Sequence, residues 1–157
     1  MITMRTLTKA ILLLSLLSAV GIGTQTSAQT FTGSIANGTV ARGRSARGTI
    51  VMSIPAGLHV NSNRPSSQYA IATTVKLTGA GVGAVSYPRG RNKKFQFSES
   101  LINVYEGRVA FGFTVKVPTS YRGRSVRVRA TVRYQACTDE VCYPPKTRDI
   151  TMTARVQ

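Results

Sequence analysis

Apolar and polar residues alternate with a period of two along several stretches of the chain. Val109, Phe111, Phe113, Val115 and Val117 are apolar, and Arg108, Ala110, Gly112, Thr114 and Lys116 fall between them. Val126, Val128, Ala130, Val132 and Tyr134 alternate more strongly with Arg127, Arg129, Thr131, Arg133 and Gln135. The same pattern runs through Ile150, Met152, Ala154 and Val156 at the C-terminus, and through Ile71, Thr73, Val75 and Leu77 near the middle. Such alternation sets one face on a core and the other in water, as in antiparallel strands. Turn residues separate the runs: Asn37-Gly38, Pro55-Ala56-Gly57, the glycines from Gly79 to Gly83, Pro88-Arg89-Gly90, Glu106-Gly107, Pro118 and Arg122-Gly123. No stretch beyond the first 28 residues carries a helical stripe. Short strands at this spacing predict an all-β, antiparallel β-sandwich.

The beginning of the chain has a different character. Arg5 and Lys9 precede the apolar run Ala10–Val20, and Thr26-Ser27-Ala28 places small residues where a signal peptidase reads them. This is the three-part pattern of a secretory signal peptide, with an apolar run too short to span a membrane. Residues 1–28 are therefore expected to be removed, leaving 29–157 as one exported domain that does not span the membrane, in the periplasm or elsewhere in the cell envelope. Two cysteines in an exported chain meet an oxidising compartment.

Composition removes several functions. With 21 Lys and Arg against 5 Asp and Glu, the formal charge is +16. Arg127, Arg129 and Arg133 share the outward face of one strand, and Arg89, Arg91, Lys93 and Lys94 form a charged loop. No nucleic-acid module or aromatic interleaving accompanies these charges, so nucleic acid is not expected as a partner. A solvated face is the plain reading, and steering toward an acidic protein or an anionic envelope surface is the functional one. The glycines around Gly81 lack the lysine and helix of a phosphate loop. Asn37-Gly38-Thr39 is formally a glycosylation sequon but reads better as a turn. His59 is the single histidine, and Glu99, Glu106, Asp139, Glu140 and Asp149 are too scattered for a hydrolytic pair.

The informative stretch runs from Arg133 to Pro145. Cys137 and Cys142 sit at the end of the strongest predicted strand, and parity puts Cys137 on its outward face with Gln135. A short reversal can bring the two α-carbons to disulfide distance. One reading is a stabilising disulfide. A six-residue loop is a poor staple, removing only about 2 kcal/mol of unfolded-state entropy. At an exposed strand end a redox pair is the other reading. Pro144-Pro145 stiffens the return beyond Cys142. A metal site using both thiolates and His59 lacks a fourth ligand at any familiar spacing, so no metal is expected.

Tyr134-Gln135-Ala136-Cys137, followed by Cys142-Tyr143-Pro144-Pro145, resembles the N-terminal periplasmic domain of the DsbD family of thiol:disulfide interchange proteins. Pro55–Pro65, with His59 and Asn61, and Val104-Tyr105-Glu106-Gly107 agree in order, so the resemblance spans roughly Ile50 to Val156. It implies an immunoglobulin-like sandwich whose Cys137–Cys142 pair is the catalytic, redox-active disulfide, with no other cofactor. It also implies that Cys142 forms the mixed disulfide, and that a cap loop within Arg91–Ser100 offers Phe95 or Phe97 as a lid. Tyr134, Gln135, Tyr143, His59 and Asn61 are the expected rim. The cysteine loop is one residue shorter than in the best-known members, and His59 and Asn61 stand where those members have aromatic residues.

The implied activity is that of a protein-disulfide reductase of the interchange type. Reducing equivalents would come from a thioredoxin-like donor, a separate chain fed by a membrane electron carrier, and pass to periplasmic disulfide proteins. Arg133, Lys146 and Arg148 would favour the thiolate, while Asp139 and Glu140 oppose it. The competing expectation is a non-enzymatic sandwich that binds an acidic partner through its basic face and keeps its disulfide for structure.

Overall fold

A computed structural model describes residues 28–157. The predicted signal peptide lies outside them, apart from Ala28. The described residues form eleven strands and no helix: β1 (Thr30–Ile35), β2 (Thr39–Val40), β3 (Ser45–Ser53), β4 (His59–Asn61), β5 (Thr74–Thr78), β6 (Arg91–Lys93), β7 (Ile102–Tyr105), β8 (Arg108–Lys116), β9 (Ser125–Tyr134), β10 (Ala136–Cys137) and β11 (Lys146–Val156).

Two sheets make the predicted sandwich. One has the order β1-β3-β8, the other β2-β11-β9-β5. Their facing side chains form one core: Ile50, Met52, Phe111, Phe113 and Val115 from the first sheet meet Val126, Val128, Val132, Met152 and Ala154 from the second. The alternation explains which residues go inward. Every even position from Val126 to Tyr134 is buried, while Arg127, Arg129 and Arg133 remain exposed. Antiparallel pairing of β9 with β11 runs unbroken from Lys146↔Tyr134 to Arg155↔Ser125. The exception to antiparallel pairing is short, where β2 lies parallel to the end of β11. Gly33 marks a close approach of the two sheets, because a Cβ there would stand 2.6 Å from Met152 Sδ.

Asn37-Gly38 does turn the chain, with Gly38 at φ 86°. The turn is not a hairpin, since β1 and β2 belong to different sheets. β5, an edge strand, also starts later than its pattern suggests, at Thr74. At Ile71 the backbone is taken up by side chains instead: its carbonyl accepts from Asn61 Nδ2 at 3.2 Å, and its N–H donates to Gln135 Oε1 at 3.4 Å.

A third, smaller sheet of order β10-β4-β7-β6 closes one corner. The chain leaves β9 at Tyr134, passes Gln135, and continues as β10 against β4. One face of the small sheet, with Val60, Tyr105 and Ala136, completes the main core. Its other face carries a second cluster, in which Phe95 and Ala70 pack with Ile102 and Val104 of β7.

Candidate functional site

Cys137 and Cys142 are joined by a disulfide, with their α-carbons 4.0 Å apart. They are antiparallel partners across a tight turn. Thr138 N donates to the Val141 carbonyl at 2.8 Å, and Thr138 Oγ1 accepts from the N–H groups of Glu140 and Val141 at 3.2 and 3.0 Å. Threonine hydroxyls close turns in this way, so the short loop is held locally. Tyr143 N donates to the Ala136 carbonyl at 2.9 Å and continues the hairpin.

The two sulfur-bearing residues differ in access. Cys137 is 0% exposed, whereas Cys142 is exposed. The parity expected for Cys137 holds, because it lies opposite in sense to the core-facing Ala136. Its exposure does not: the strand end is not open at Cys137, since the outer face of the small sheet is roofed there by the loop that follows β6.

His59 is the direct cross-strand partner of Cys137. Side chains opposite each other in an antiparallel pair share a face, with Cβ atoms about 4.5–5.5 Å apart. His59 is 2% exposed and stacks on Phe95 with ring centroids 4.4 Å apart. Phe95 stacks in turn on Phe97 at 5.2 Å. Burial pushes the His59 imidazole below its ordinary pKa, helped by the Lys93 charge and opposed by Asp139 and Glu106. Lys93 Nζ donates to Glu106 Oε1 at 2.8 Å, and that bond holds the ammonium above its usual pKa.

Beside this row an amide network ties the cysteine loop to the opposite wall. Gln135 Nε2 donates to the Tyr143 carbonyl at 3.2 Å, and its Oε1 accepts from Asn61 Nδ2 at 3.2 Å. Thr73 Oγ1 donates to the Asn61 carbonyl at 2.6 Å, fixing the strand that carries Asn61. Asn61 and Gln135 form, with Ile102 and Cys142, part of a groove of about 580 Å³ whose walls are residues 66–70 and 97–100. Among the described residues, four large apolar side chains stay exposed: Tyr69 at 87%, Val141 at 55%, Leu101 at 51% and Phe97 at 49%. Tyr69 and Phe97 line the groove, and Val141 and Leu101 precede the groove residues Cys142 and Ile102 in sequence. Exposed apolar residues gathered in this way mark a docking surface more often than a solvated one.

The structure thus brings together Cys137, Cys142, His59, Asn61, Gln135, Phe95 and Phe97. Phe95 is the buried ring over His59, and Phe97 the outer one facing the groove. Tyr143 lies at the back of the cysteine hairpin and packs against the main core. Tyr134 faces away from the site: it is fully buried in the sandwich against Phe31, with its hydroxyl unpaired. The wall at residues 66–70 and the Lys93–Glu106 pair were not anticipated. The wall carries no periodic pattern. Glu106 had a signal, since it belongs to the Val104-Tyr105-Glu106-Gly107 segment that supports the resemblance. Among the described residues, no group of three or more His, Cys, Asp or Glu side chains is arranged to hold a metal ion. No helix among them is long and apolar enough to cross a membrane.

The family model described as thiol:disulfide interchange protein DsbD, N-terminal, matches residues 31–154. No curated protein matches the chain in sequence. The N-terminal periplasmic domain of ScsB from Proteus mirabilis is similar in structure, with 13% identity and a TM-score of 0.50, over 80% of this chain and 44% of that one. The reduced DsbD N-terminal domain of Neisseria meningitidis is 19% identical, with a TM-score of 0.46, over 70% of this chain and 82% of that one. The complex between the DsbD N-terminal and PilB N-terminal domains of the same organism gives 17% identity and 0.49, over 77% and 80%.

Proposed function

This chain belongs to the DsbD N-terminal family of immunoglobulin-like, all-β domains, and on that premise we propose that it is a thiol–disulfide relay working through Cys137 and Cys142 in the periplasm. One observation carries the reading: a bridged cysteine pair with one partner buried and the other open, at a groove rimmed by exposed apolar side chains. A structural staple needs no such asymmetry.

In the receiving direction, a thiolate of a thioredoxin-like donor attacks Sγ of Cys142. The internal S–S bond breaks, a mixed disulfide forms, and Cys137 leaves with the electron pair and takes up a proton. The donor's second thiol resolves the mixed disulfide, so both cysteines are released reduced and the donor becomes a disulfide. In the delivering direction, the Cys142 thiolate attacks a disulfide in a periplasmic acceptor. Cys137 then closes on Cys142 and expels the acceptor's thiolate, and two electrons have moved. The groove seats the partner, with Tyr69 and Phe97 as its apolar contacts. The Gln135 bond to the Tyr143 carbonyl keeps Cys142 at the groove while the disulfide is open.

The test is reduction of the oxidised protein by thioredoxin, thioredoxin reductase and NADPH. One NADPH should be consumed per disulfide, and a Cys137→Ala variant whose Cys142 carries a thionitrobenzoate group should be captured as a stable mixed disulfide by a thioredoxin lacking its resolving cysteine, with thionitrobenzoate as the leaving group. A pair that thioredoxin leaves oxidised, with cysteine variants losing only thermal stability, would overturn the proposal and favour the basic-face binding module.

A further inference from the structure

Closing Cys137 onto Cys142 poses a problem that the exchange scheme leaves open. Only a thiolate attacks a disulfide, and Cys137 is fully buried beneath the cap. Burial disfavours a charged sulfur. A neighbouring base is required, and the outer face of the small sheet offers one.

A continuous row of side chains crosses that face. Cys142 is the strand partner of Cys137, and Cys137 is the strand partner of His59. Val60 pairs with Tyr105, so the next step along the two strands sets His59 beside Glu106. Glu106 ends the row in an ion pair with Lys93, and both side chains are about one-third exposed, at 33% and 36%. The row runs from the buried sulfur to water through one imidazole and one carboxylate. Phe95 covers the imidazole by stacking on it, which excludes water from the sulfur's side.

On the reading of the chain as a thiol–disulfide relay, we infer that His59 accepts the proton of the Cys137 thiol when Cys137 closes on the Cys142 mixed disulfide. The Cys137 S–H bond breaks and its proton moves to the free ring nitrogen of His59. The sulfur's electron pair forms the Cys137–Cys142 bond, and the partner's sulfur leaves with the pair of the broken mixed-disulfide bond. His59 then returns its proton to solvent by way of Glu106. In the receiving direction the same path runs backwards: His59 takes a proton from solvent by way of Glu106 and delivers it to the Cys137 sulfur as that sulfur leaves. The groups facing His59 are Lys93 on β6, Glu106 after β7 and Asp139 in the cysteine turn, and its strand partner Cys137. Burial and Lys93 keep the ring neutral at pH 7, which is the state an acceptor needs.

Reduced protein mixed with 5,5′-dithiobis(2-nitrobenzoate) separates the two steps. Cys142 releases the first thionitrobenzoate and Cys137, on closing, the second. His59→Phe preserves the stack on Phe95, and His59→Gln preserves hydrogen bonding without a base. In both variants the first release should stay within about twofold of wild type, while the second slows at least about tenfold at pH 7. The wild-type second phase should fall only as pH drops through the imidazole titration, whereas in His59→Phe it should climb about tenfold per pH unit below the thiol pKa. Equal second-phase rates and pH profiles in all three proteins would overturn the role of His59 and leave the relay intact. A wild-type protein that releases no thionitrobenzoate would overturn the relay and the role together. A measurement needing no variant is the His59 imidazole titration by NMR in the oxidised and reduced proteins. Different midpoints are expected because the ring and the thiol are linked, and identical midpoints would overturn the inference.

Discussion

The β9–β11 ladder and the β10-β4-β7-β6 sheet are built from the same alternation but finished differently. In the ladder, one face makes the core, and the other presents Arg127, Arg129 and Arg133 to water, with Arg129 paired to Asp149 at 2.7 Å. In the small sheet, the inner face joins the same core, but the outer face receives a second cover from Phe95 and its neighbours. The polar residues on that outer face, His59 and Asn61, are consequently buried at 2% exposure each. An outward-facing position therefore has no fixed chemistry. Left open, it carries solvated arginines; roofed, it becomes a dry compartment in which a thiol and an imidazole depend on each other.

Three measurements test this contrast. The largest effect belongs to the sandwich. Phe111→Ala empties a fully buried site in the shared core and should cost about 3–5 kcal/mol in denaturant unfolding. The protein that remains folded should exchange thiols at the wild-type rate. A changed rate would mean that the two regions are not separable.

Phe95→Ala addresses the roof. Its burial stabilises by about 2 kcal/mol, which should be lost, and the disulfide should be reduced severalfold faster by dithiothreitol. An unchanged reduction rate would show that the ring packs the corner without restricting access to the sulfurs.

The smallest effect is a pH dependence. His59 has a folded-state pKa below its unfolded value, so the unfolded chain binds more protons as the pH is lowered from the unfolded value toward the folded one. Stability contributed by the neutral imidazole is complete above about pH 6.5 and is lost as pH falls through that window. Melting temperatures of the oxidised wild type should decline between pH 7.5 and 5 by more than those of His59→Phe. Parallel declines would place the imidazole in a better-hydrated setting than its stack on Phe95 describes.

The same contrast decides what the sequence makes legible. In β9 every even residue was expected inward, and that parity continues through Ala136, so the face on which Cys137 lies could be read directly. Its burial could not be read. The cover comes from Phe95, some forty residues earlier, in a loop with no periodicity. The three consecutive buried residues of β4, His59, Val60 and Asn61, likewise defeat an alternation argument, because both faces of that strand are covered. The choice between Phe95 and Phe97 turns on depth, which only tertiary packing supplies: the first ring is inside and the second half outside. Tyr134 is the converse. Its neighbours in sequence belong to the site, but strand parity sends its ring into the sandwich.

The site's parts also lie at very different distances along the chain. The cysteines are five residues apart, and the turn between them is closed by its own threonine. The Gln135–Asn61 bond spans 74 residues, and His59 lies farther still. Contacts of short range form early in folding and those of long range late. The thiols can therefore be oxidised on a chain that has not yet folded, whereas their shield and their base arrive only with the finished corner. A bare hairpin and the native domain should react with small thiols at different speeds, so the reactivity of Cys142 becomes a clock for the completion of the fold.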